Sequence, residues 1–490
     1  MNTQSLTQAL SSQPQWPLYS AALTQTVEHQ AQAALATYTL MARAGLATAQ
    51  LAMAIAPHAQ TIWIACGPGN NGGDGLEAAV HLQAWGKHPV VTWLGQEGHI
   101  PQDAQQAWLR AKTAGVAFQK QAPAQFDLVI DALLGIGADR PPEGLMAQWL
   151  DVIANTNIPV LCVDVPTGLS ADTGEWMTST RPSHHNRHTL SLLTLKPGLF
   201  TADGRDAAGQ VWFNDLAVEH AHPPTAWLQY SHIAPHAKAL NSHKGSFGDV
   251  IVIGGAPGMT GAAVLASLGA LHGGAGRVFA GILDEAAAHA IAATHPALMV
   301  RPPMSLPLDE ATVVCGCGGG DAVRALLPHV LSSSKNLVLD ADALNAIALD
   351  TSLQTLLTNR RARGKPTVLT PHPLEAARLL QSTSKQVQHN RLQAAQELTE
   401  KFQTHVVLKG SGSVIASPKH TSVINASGNP LLATAGTGDV LAGLIGAYIG
   451  GRTDTFEAIC QAVYSHGHVA DVWPAKAPAF DAAWLAASVR

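Results

Sequence analysis

The sequence predicts an α/β protein with two units, each built from mostly parallel strands that alternate with helices. Short runs rich in β-branched residues recur along the chain, and each ends at Gly, Asp or Pro before a longer stretch rich in Ala and Leu. Buried parallel strands and their crossover helices have this pattern. A length of 490 residues is too great for one hydrophobic core. We therefore expect two domains whose sheets carry helices on both faces.

Eight of these runs are predicted to be strands, four in each half of the chain. They are Thr61–Ala65, Val90–Leu94, Leu128–Ile130, Val160–Val163, Val250–Ile253, Leu337–Leu339, Thr367–Leu369 and His405–Leu408. A segment between Glu219 and Asn241 contains three prolines and has no sustained apolar period. We place the boundary there, with one domain at 1–222 and the other at 223–490.

Composition narrows the class of protein and its partners. Charged residues make up 13% of the chain, against about 25% in typical globular proteins, which favours a homo-oligomer, a tetramer or larger. A net charge of -5 argues against nucleic-acid binding. The polar N-terminus lacks the apolar core of a signal peptide, and five scattered cysteines indicate free thiols in a reducing compartment. We expect a cytoplasmic protein that does not bind membranes.

The first predicted strand leads into a Gly-rich segment, Cys66 to Gly75, and a helix is predicted to begin near Leu76. Backbone N–H groups at a helix N-terminus attract phosphates. Asn70 and Asn71 add carbonyl oxygens that suit hydroxyl groups or a hard monovalent cation. The alternative is a tight turn in which Asp74 only caps the helix.

Two later strands end in aspartates, Asp131 and Asp164. Ligands of open α/β sheets bind beyond the carboxyl ends of strands, so both aspartates are expected to share one crevice with the Gly-rich segment. Each aspartate alone is equally well explained as a turn former. Arg140 either pairs with a ligand phosphate or is an exposed charge.

Three blocks of the first half resemble the NAD(P)H-hydrate epimerase family. They are Gly67–Gly75, Asp131–Gly135 and Val163–Leu169, and Lys196–Leu199 is similar to a later family block. The resemblance covers about residues 18–216 and implies a Rossmann-like three-layer domain that interconverts R and S forms of the hydrated dinucleotide.

For the site, the resemblance implies an epimerase crevice with a potassium ion. Asp164 is our candidate for the acid/base residue. K⁺ would be bound by Asn71, Asp131 and Thr167, where the family usually has Ser at position 167. The implied substrate contacts are Asn70, Asn71, Gly72, Gly73, Asp74, Gly135, Ile136, Gly137, Ala138, Asp139, Arg140, Pro141 and Asp164.

The most informative block of the second half is a Gly-x-Gly turn, Gly436 to Gly438, before an apolar helix. Its free N–H groups are suited to stabilise charge on a transferring phosphoryl group. Asp439 follows directly and is placed to take a proton from a substrate hydroxyl. The alternative is an aspartate that only caps the helix.

Further segments that follow strands indicate a nucleotide. Lys409 to Ser413 supplies a lysine, two glycines and two hydroxyls for a phosphate or ribose. His372 is a ligand contact or a buried structural histidine. Asp340 and Asp342 offer carboxylates for magnesium, or one of them only caps a helix. The Gly-rich loop 254–262 admits a ligand close to its backbone.

In order along the chain, these blocks resemble the ADP-dependent NAD(P)H-hydrate dehydratase family from about His243 to the C-terminus, with His243–Asp249 and Asn429-Pro430 as further matches. The family usually has a Gly-Pro-Gly-x-Gly loop; here Gly316–Gly320 lacks the proline but keeps Gly318 and Gly320. The resemblance implies a ribokinase-like domain with Mg²⁺ and with ADP as co-substrate. The implied substrate contacts are Ala262, Gly320, His372 and Asp439, and the nucleotide contacts are Lys409, Gly410, Ser411, Gly412, Ser413 and Gly438.

We therefore predict a bifunctional enzyme that repairs hydrated NADH and NADPH. The first domain would interconvert the epimers. The second would phosphorylate the C6 hydroxyl of the S form, with Asp439 as base, and lose phosphate. One alternative is a ribokinase-type small-molecule kinase with a regulatory dinucleotide-binding domain, which would release a stable phosphorylated product. A second is a non-catalytic dinucleotide sensor or RNA-associated scaffold, and the acidic net charge disfavours RNA.

Overall fold

The computed structural model describes residues 8–10, 15–138, 140–181, 186–230, 241, 244–451 and 454–489. Two compact units divide the chain, Met1–Ala226 and Trp227–Arg490. Each contains a sheet of mostly parallel strands between helices, which confirms the predicted α/β class.

The first unit has a sheet that is parallel apart from one edge pair. In spatial order its strands are Gln8–Ala9, Gln210–Asn214, Arg187–Leu192, Val160–Val163, Leu128–Ala132, Thr61–Cys66, His88–Trp93 and Ala117–Gln119. From Thr61–Cys66 the chain moves outward to one edge, then returns to pair Leu128–Ala132 on the other side. The strand order therefore reverses between these two strands, which is where open α/β sheets form a ligand crevice.

Helices cover both faces of this first sheet. Ile62 and Ile64 belong to one buried cluster, while Trp63 and Ala65 belong to another, as expected for side chains that alternate along a strand. The predicted three-layer arrangement follows from this alternation. The helices are Ala21–Ala34, Thr39–Ile55, Asn70–Ala84, Gln102–Thr113, Gly144–Asn155 and Gly204–Ala207, with a 3₁₀ turn at Pro197–Phe200 and a short strand at Gln15–Leu18.

The second unit repeats the reversal in a larger sheet. In spatial order its strands are Met299–Val300, Arg277–Ile282, Asp249–Gly254, Thr312–Cys315, Asn336–Leu339, Thr367–Leu369, His405–Leu408, Val414–Ser417, His420–Asn425 and Ala226–Gln229. The reversal lies between Asp249–Gly254 and Thr312–Cys315. Val414–Ser417 is antiparallel to both of its neighbours.

The helices of the second unit include one, Thr437–Gly450, that is almost wholly buried. The others are Thr260–His272, Glu285–Thr294, Leu327–Ser333, Ala341–Leu349, Thr351–Ala362, Pro373–Leu380, Ser384–His389, Arg391–Phe402, Thr455–Asp471 and Ala482–Ser488. Short 3₁₀ turns occupy Lys244–Phe247, Pro303–Ser305, Asp321–Ala325 and Pro430–Leu432.

The eight predicted strands are all present, with ends that differ by two residues at most. Part of the segment between Glu219 and Asn241, which has no sustained apolar period, forms regular structure. Ala226–Gln229 is a strand that pairs in parallel with His420–Asn425. A strand of four residues gives too short a pattern to stand out from its Pro-rich surroundings.

All five cysteines are free and buried, as predicted. In the part of the chain that the structure describes, no helix is both long enough and apolar enough to cross a membrane.

Candidate active sites

The Gly-rich segment of the first unit lies mostly inside a helix rather than before it. The helix begins at Asn70, not near Leu76, and Gly69 occupies the N-cap position. A Cβ on Gly72 would lie 2.1 Å from the carbonyl oxygen of Gly67, and one on Gly73 would lie 2.6 Å from the Met41 Cε. The glycines are therefore required by close packing of the first turns. Asp74 is not the N-cap residue, so the alternative in which it only caps the helix is wrong.

A cavity of about 400 Å³ opens beyond the two strands where the first sheet reverses. The predicted residues that line it are Asn70, Asn71, Asp74, Gly135, Ile136, Gly137, Ala138 and Asp164. Gly72 and Gly73 are buried behind it, and Arg140 and Pro141 are exposed and outside its lining. Asp139 lies outside the described residues. Most of the predicted epimerase contacts thus share one crevice.

Four carboxyl groups face this cavity: Glu28, Asp74, Asp103 and Asp164. Loss of hydration and the charges of Asp164, Glu28 and Asp103 raise the pKa of Asp74 well above its ordinary value. Loss of hydration and the charge of Asp164 also raise the pKa of Glu28. Because these carboxyl groups lie around one cavity, some of them are protonated at low pH and can donate a proton to a ligand.

Asp164 is bound by a lysine that has no contact with solvent. The Lys196 ammonium donates to Oδ1 of Asp164 and also to the carbonyl oxygen of Leu192, at 2.7 Å. The backbone N–H of Ile136 donates to Oδ2 of Asp164 at 3.4 Å. Asp164 has a φ of 68°, in the left-handed region that few non-glycine residues adopt. The carboxylate is thus held in one orientation at the cavity wall.

The predicted potassium ligands comprise a bonded pair and a separate amide. The Thr167 hydroxyl donates to Oδ1 of buried Asp131 at 2.6 Å, and the Thr167 backbone N–H donates to Oδ2 at 3.0 Å. Burial raises the pKa of Asp131, and the Thr167 hydrogen bonds oppose that rise. Among the described residues, the buried side-chain nitrogen of Asn71 and oxygen of Asn70 have no hydrogen-bond partner. Of these two atoms only the Asn70 oxygen could bind a cation, because an amide nitrogen is a hydrogen-bond donor. The three predicted ligands, Asn71, Asp131 and Thr167, each carry an oxygen of the kind that a hard cation prefers.

In the second unit, Asp439 lies in the first turn of Thr437–Gly450 and its side chain does not cap that helix. The N-cap residue is Gly436, with a φ of 91°. Only glycine adopts this conformation without strain. The alternative of a simple capping aspartate is therefore wrong, and the carboxylate is free for another role at the helix N-terminus.

Asp439 shares a cluster with Asp340 and Cys317, whose oxygen and sulfur atoms all lie within 4.8 Å of one another. Oδ1 of Asp340 accepts from the Lys409 ammonium at 2.6 Å and from the Thr370 hydroxyl at 2.7 Å. Asp340 is at an N-cap position but makes no side-chain capping bond. Its role as a helix cap is thus excluded in favour of the ion pair.

Burial and neighbouring charges shift the pKa values of the groups around Asp439. Loss of hydration, then the charges of Asp340 and Asp342, raise the pKa of Asp439 to about 6. Burial opposes the charge of Lys409, but attraction to Asp340 and Glu375 outweighs it and raises the pKa of the lysine. Burial also raises the pKa of the Cys317 thiol, which is therefore neutral. Asp439 is left as the carboxylate with a basicity suited to proton transfer near neutral pH.

Two Gly-rich loops meet at the reversal of this sheet. The Ala256 N–H donates to the Gly318 carbonyl at 2.7 Å, and a Cβ on Gly318 would lie 2.5 Å from the Met259 carbonyl oxygen. Gly320 has a φ of 51°, and its N–H donates to Oδ2 of Asp342 at 2.8 Å. A Cβ on Gly318 would also contact Ala262. The predicted substrate residue Ala262, in the first turn of the helix Thr260–His272, thus packs against the loop that carries the other one, Gly320.

The segment predicted to bind the nucleotide, Lys409 to Ser413, lies close to the start of the helix Thr437–Gly450 through its lysine. The Lys409 Nζ lies 3.4 Å from the position that a Cβ on Gly438 would occupy. Gly410 has a φ of 143° and Gly412 a φ of 62°, so the segment turns sharply after its strand. The Ser413 hydroxyl donates to the Gly410 carbonyl at 3.2 Å, while Ser411 lies exposed.

His372 is exposed rather than buried, contrary to the structural alternative. Its Nδ1 accepts from the N–H of Leu374 at 3.1 Å, so it caps the helix Pro373–Leu380. Burial and the charge of Asp340 raise the pKa of Glu375 to about 7, while Lys409 opposes that rise. The cap leaves Nε2 of His372 beside Oε1 of Glu375, at 3.3 Å.

Several residues that line or support these sites had no catalytic or binding role predicted from the sequence. Lys196 was noted only as part of a motif, and its buried charge is the feature that marks it. Glu28 and Asp103 lie on helices remote in sequence from any motif, so no local pattern pointed to them. Cys317 was read only as a substitute within a loop, and its place between two carboxylates depends on the tertiary fold.

Comparison with known proteins covers both units. A family model described as NAD(P)H-hydrate dehydratase matches residues 250–488, and one described as YjeF-related protein N-terminus matches residues 37–198. The chain is 35% identical over 472 residues to the bifunctional NAD(P)H-hydrate repair enzyme of Escherichia coli, covering 90% of this chain and 86% of that protein.

Two further matches concern the second unit alone. The ADP-dependent (S)-NAD(P)H-hydrate dehydratase of Neisseria meningitidis is 42% identical over 252 residues, covering 50% of this chain and 83% of that protein. A crystal structure of the ADP/ATP-dependent NAD(P)H-hydrate dehydratase of Bacillus subtilis, co-crystallised with ATP and Mg²⁺, is 30% identical. It covers 52% of this chain and 91% of that chain, with a TM-score of 0.45.

Proposed function

This chain belongs to the family of bifunctional NAD(P)H-hydrate repair enzymes, and from that premise we propose which residues perform each of its two reactions. We assign epimerisation to residues 1–222 and ADP-dependent dehydration to residues 223–490. The observation that carries the assignment is the pair of carboxylates, Asp164 and Asp439, each at the point where the strand order of its own sheet reverses.

In the dehydratase unit, Asp439 accepts the proton of the C6 hydroxyl of the S epimer. The alkoxide oxygen then bonds to the terminal phosphorus of ADP, and AMP leaves. The ring nitrogen lone pair expels phosphate from C6, and loss of the C5 proton restores the dihydropyridine. The N–H groups at the start of Thr437–Gly450 and the Lys409 ammonium face the charge that develops on the transferred group.

Lys409, Gly410, Ser411, Gly412, Ser413 and Gly438 are proposed to bind the nucleotide, and Ala262, Gly320 and His372 the hydrated ring. Asp340 and Asp342 are proposed as the carboxylates near Mg²⁺, because carboxylate oxygens are the ligands that this ion prefers, and Asp439 stays free as the base. A neutral Cys317 thiol does not suit Mg²⁺. The ion, when bound, would neutralise phosphate charge.

In the epimerase unit, Asp164 is proposed as the acid/base group, and Lys196 keeps it oriented. The residues from Asn70 to Asp74 and from Gly135 to Ala138 are proposed to hold the dinucleotide, most of them in the cavity lining, and Asp139, Arg140 and Pro141 are proposed as further contacts. K⁺ is assigned to Asn71, Asp131 and Thr167 on the chemistry of their oxygens. Bound there, the ion would offset the excess of carboxylates around the substrate.

We further propose a cytoplasmic homo-oligomer, a tetramer or larger, from the low charged fraction of the sequence.

One experiment tests the assignment as a whole. A mixture of R- and S-hydrated NADH is incubated with the protein and ADP, and recovery of the dihydronicotinamide absorbance is followed together with phosphate release. Complete recovery with free phosphate equal to NADH formed is expected. Recovery of the S fraction only would contradict the epimerase assignment. A stable phosphorylated product would favour the kinase alternative instead.

A further inference from the structure

A second cavity of about 400 Å³ lies in the dehydratase unit, at the edge of the sheet opposite Asp439. It is bounded by Thr367 and His405, which begin two parallel strands, and by Ser417, which ends the antiparallel strand beside them. Lys409 follows the other end of the strand that His405 begins. Four residues of strand, about 13 Å, therefore separate this cavity from the catalytic lysine.

The charge of the cavity is positive although the chain carries a net charge of -5. Arg361, Lys365 and Lys419 line it, against one carboxylate, Asp454. Among the residues that the structure describes, none of the three cations has a carboxylate within salt-bridge distance. Oδ1 of Asp454 accepts from the N–H of Glu457 at 2.9 Å and caps the helix Thr455–Asp471. The Lys365 ammonium donates to the carbonyl oxygens of Ser332 and Ser333, at 3.0 and 2.9 Å, so its positive charge is not neutralised by an acid. The three positive charges at the cavity thus favour an anion from solution.

Unsatisfied polar atoms occur on the same walls. The hydroxyls of Thr404 and Ser417 and the Nδ1 of His405 are buried and have no partner within the described chain. Thr404 is 5% exposed and Ser417 is 9% exposed. A buried polar group without a partner costs about 1–3 kcal/mol, so the two hydroxyls and the imidazole nitrogen beside this cavity favour a hydrogen-bonding partner from outside the chain.

The remaining wall is rigid and partly aromatic. The Phe456 ring stacks on His420 at 4.6 Å between centroids and on His405 at 6.4 Å. Burial, then the nearby His420, lower the pKa of His405 to about 4, so it is neutral at physiological pH. The stack fixes both imidazoles at the cavity and leaves their nitrogens as hydrogen-bonding groups.

We propose that this cavity binds a small phosphorylated molecule, at a site separate from the catalytic one. Its volume lies in the range of small-ligand sites. Lysine, arginine, hydroxyl and imidazole groups are the usual partners of phosphate oxygens. A bound phosphate satisfies Thr404 and Ser417 and offsets the three cations.

The test uses the full chain and titrates it with inorganic pyrophosphate by calorimetry. Thr404→Val and Ser417→Ala each remove a hydroxyl and nothing else of note. We expect binding about tenfold weaker in each, the usual effect of losing a hydrogen bond to a charged group. Without ligand, both variants should melt at the wild-type temperature or above it, because they remove an unsatisfied buried group. Pyrophosphate held at the catalytic site would be retained in both.

Lys419→Ala and Lys385→Ala form a matched pair, since each removes one exposed lysine and only Lys419 lines the cavity. Weaker pyrophosphate binding in Lys419→Ala alone is expected. Ribose 5-phosphate and AMP, titrated in the same way, distinguish a bare phosphate from a larger phosphorylated metabolite. Equal pyrophosphate affinity in wild type, Thr404→Val and Lys419→Ala would overturn the proposal, as would the absence of any binding.

Discussion

The two crevices contain the same kinds of residue, aspartates and a lysine, but differ in which aspartate the lysine binds. Each lies where the strand order reverses, and each holds aspartates beside a buried lysine. In the first unit Lys196 binds Asp164, the proposed acid/base group. In the second unit Lys409 binds Asp340, and Asp439 keeps a pKa of about 6. The lysine is thus paired with the proposed acid/base aspartate in the first crevice, and with an aspartate other than the proposed base in the second.

The largest effect is expected from Asp439→Asn, because it removes the carboxylate that we propose as the base of the second crevice. Dehydration should fall by about 10²–10⁴-fold, and epimerisation should be unchanged. Absorbance recovery from S-hydrated NADH with ADP measures the first activity, and chiral separation of the R and S forms measures the second. Asp284→Asn, at an unrelated helix cap, is the control and should retain both. Loss of both activities in Asp439→Asn would contradict separate sites.

Lys196→Met breaks the pairing in the first crevice. Asp164 loses the cation that orients it, and we expect epimerisation to fall about 10- to 100-fold. Dehydration of pure S substrate should be unaffected. Lys196→Arg restores a cation and should recover part of the activity. If the lysine had only a structural role, the loss of activity in each variant would follow its loss of stability. Melting temperature and epimerisation rate, measured together, separate these outcomes.

The pH dependence distinguishes the two crevices further. Because Asp439 must be ionised to accept a proton, kcat/KM for dehydration should rise about tenfold per pH unit below pH 6 and level off above it. The folded pKa exceeds the unfolded value of 3.8, so the folded chain binds the extra proton and stability should fall as pH rises from about 4 to 6. Denaturant unfolding of wild type and Asp439→Asn across this range checks the sign. An identical pH dependence of unfolding in the two proteins would contradict it.

The smallest effect concerns the hydroxyl beside Asp131. Thr167→Val leaves that buried carboxyl without its 2.6 Å donor and should lower the free energy of unfolding by about 1–3 kcal/mol. Thr167→Ser keeps the hydroxyl and should cost less. Chemical denaturation of the three proteins gives the comparison. Equal stability of Thr167→Val and wild type would show that the hydroxyl is not needed in the folded state.

The sequence was sufficient for the strands, because a short run rich in β-branched residues and bounded by Gly, Asp or Pro forms a local pattern. It also placed Asp164 at a strand end and Asp439 at a Gly-rich turn, whereas Asp131 lies within its strand, Leu128–Ala132; their roles in the reaction stay predictions. It misplaced the helix that begins at Asn70, because glycines that serve packing look the same in sequence as glycines that serve a turn. Which aspartate a lysine binds could not be predicted. Lys409 and Asp340 are 69 residues apart, and they meet only because they follow strands on either side of Thr367–Leu369 in the folded sheet.

The burial of every thiol has a practical meaning for an enzyme that handles a redox coenzyme. Cys317 lies between two carboxylates, yet its proton is retained and its sulfur is shielded, so peroxides and alkylating reagents have little to attack. The protein should keep its activity in air without added reductant, and iodoacetamide should leave it intact until it unfolds.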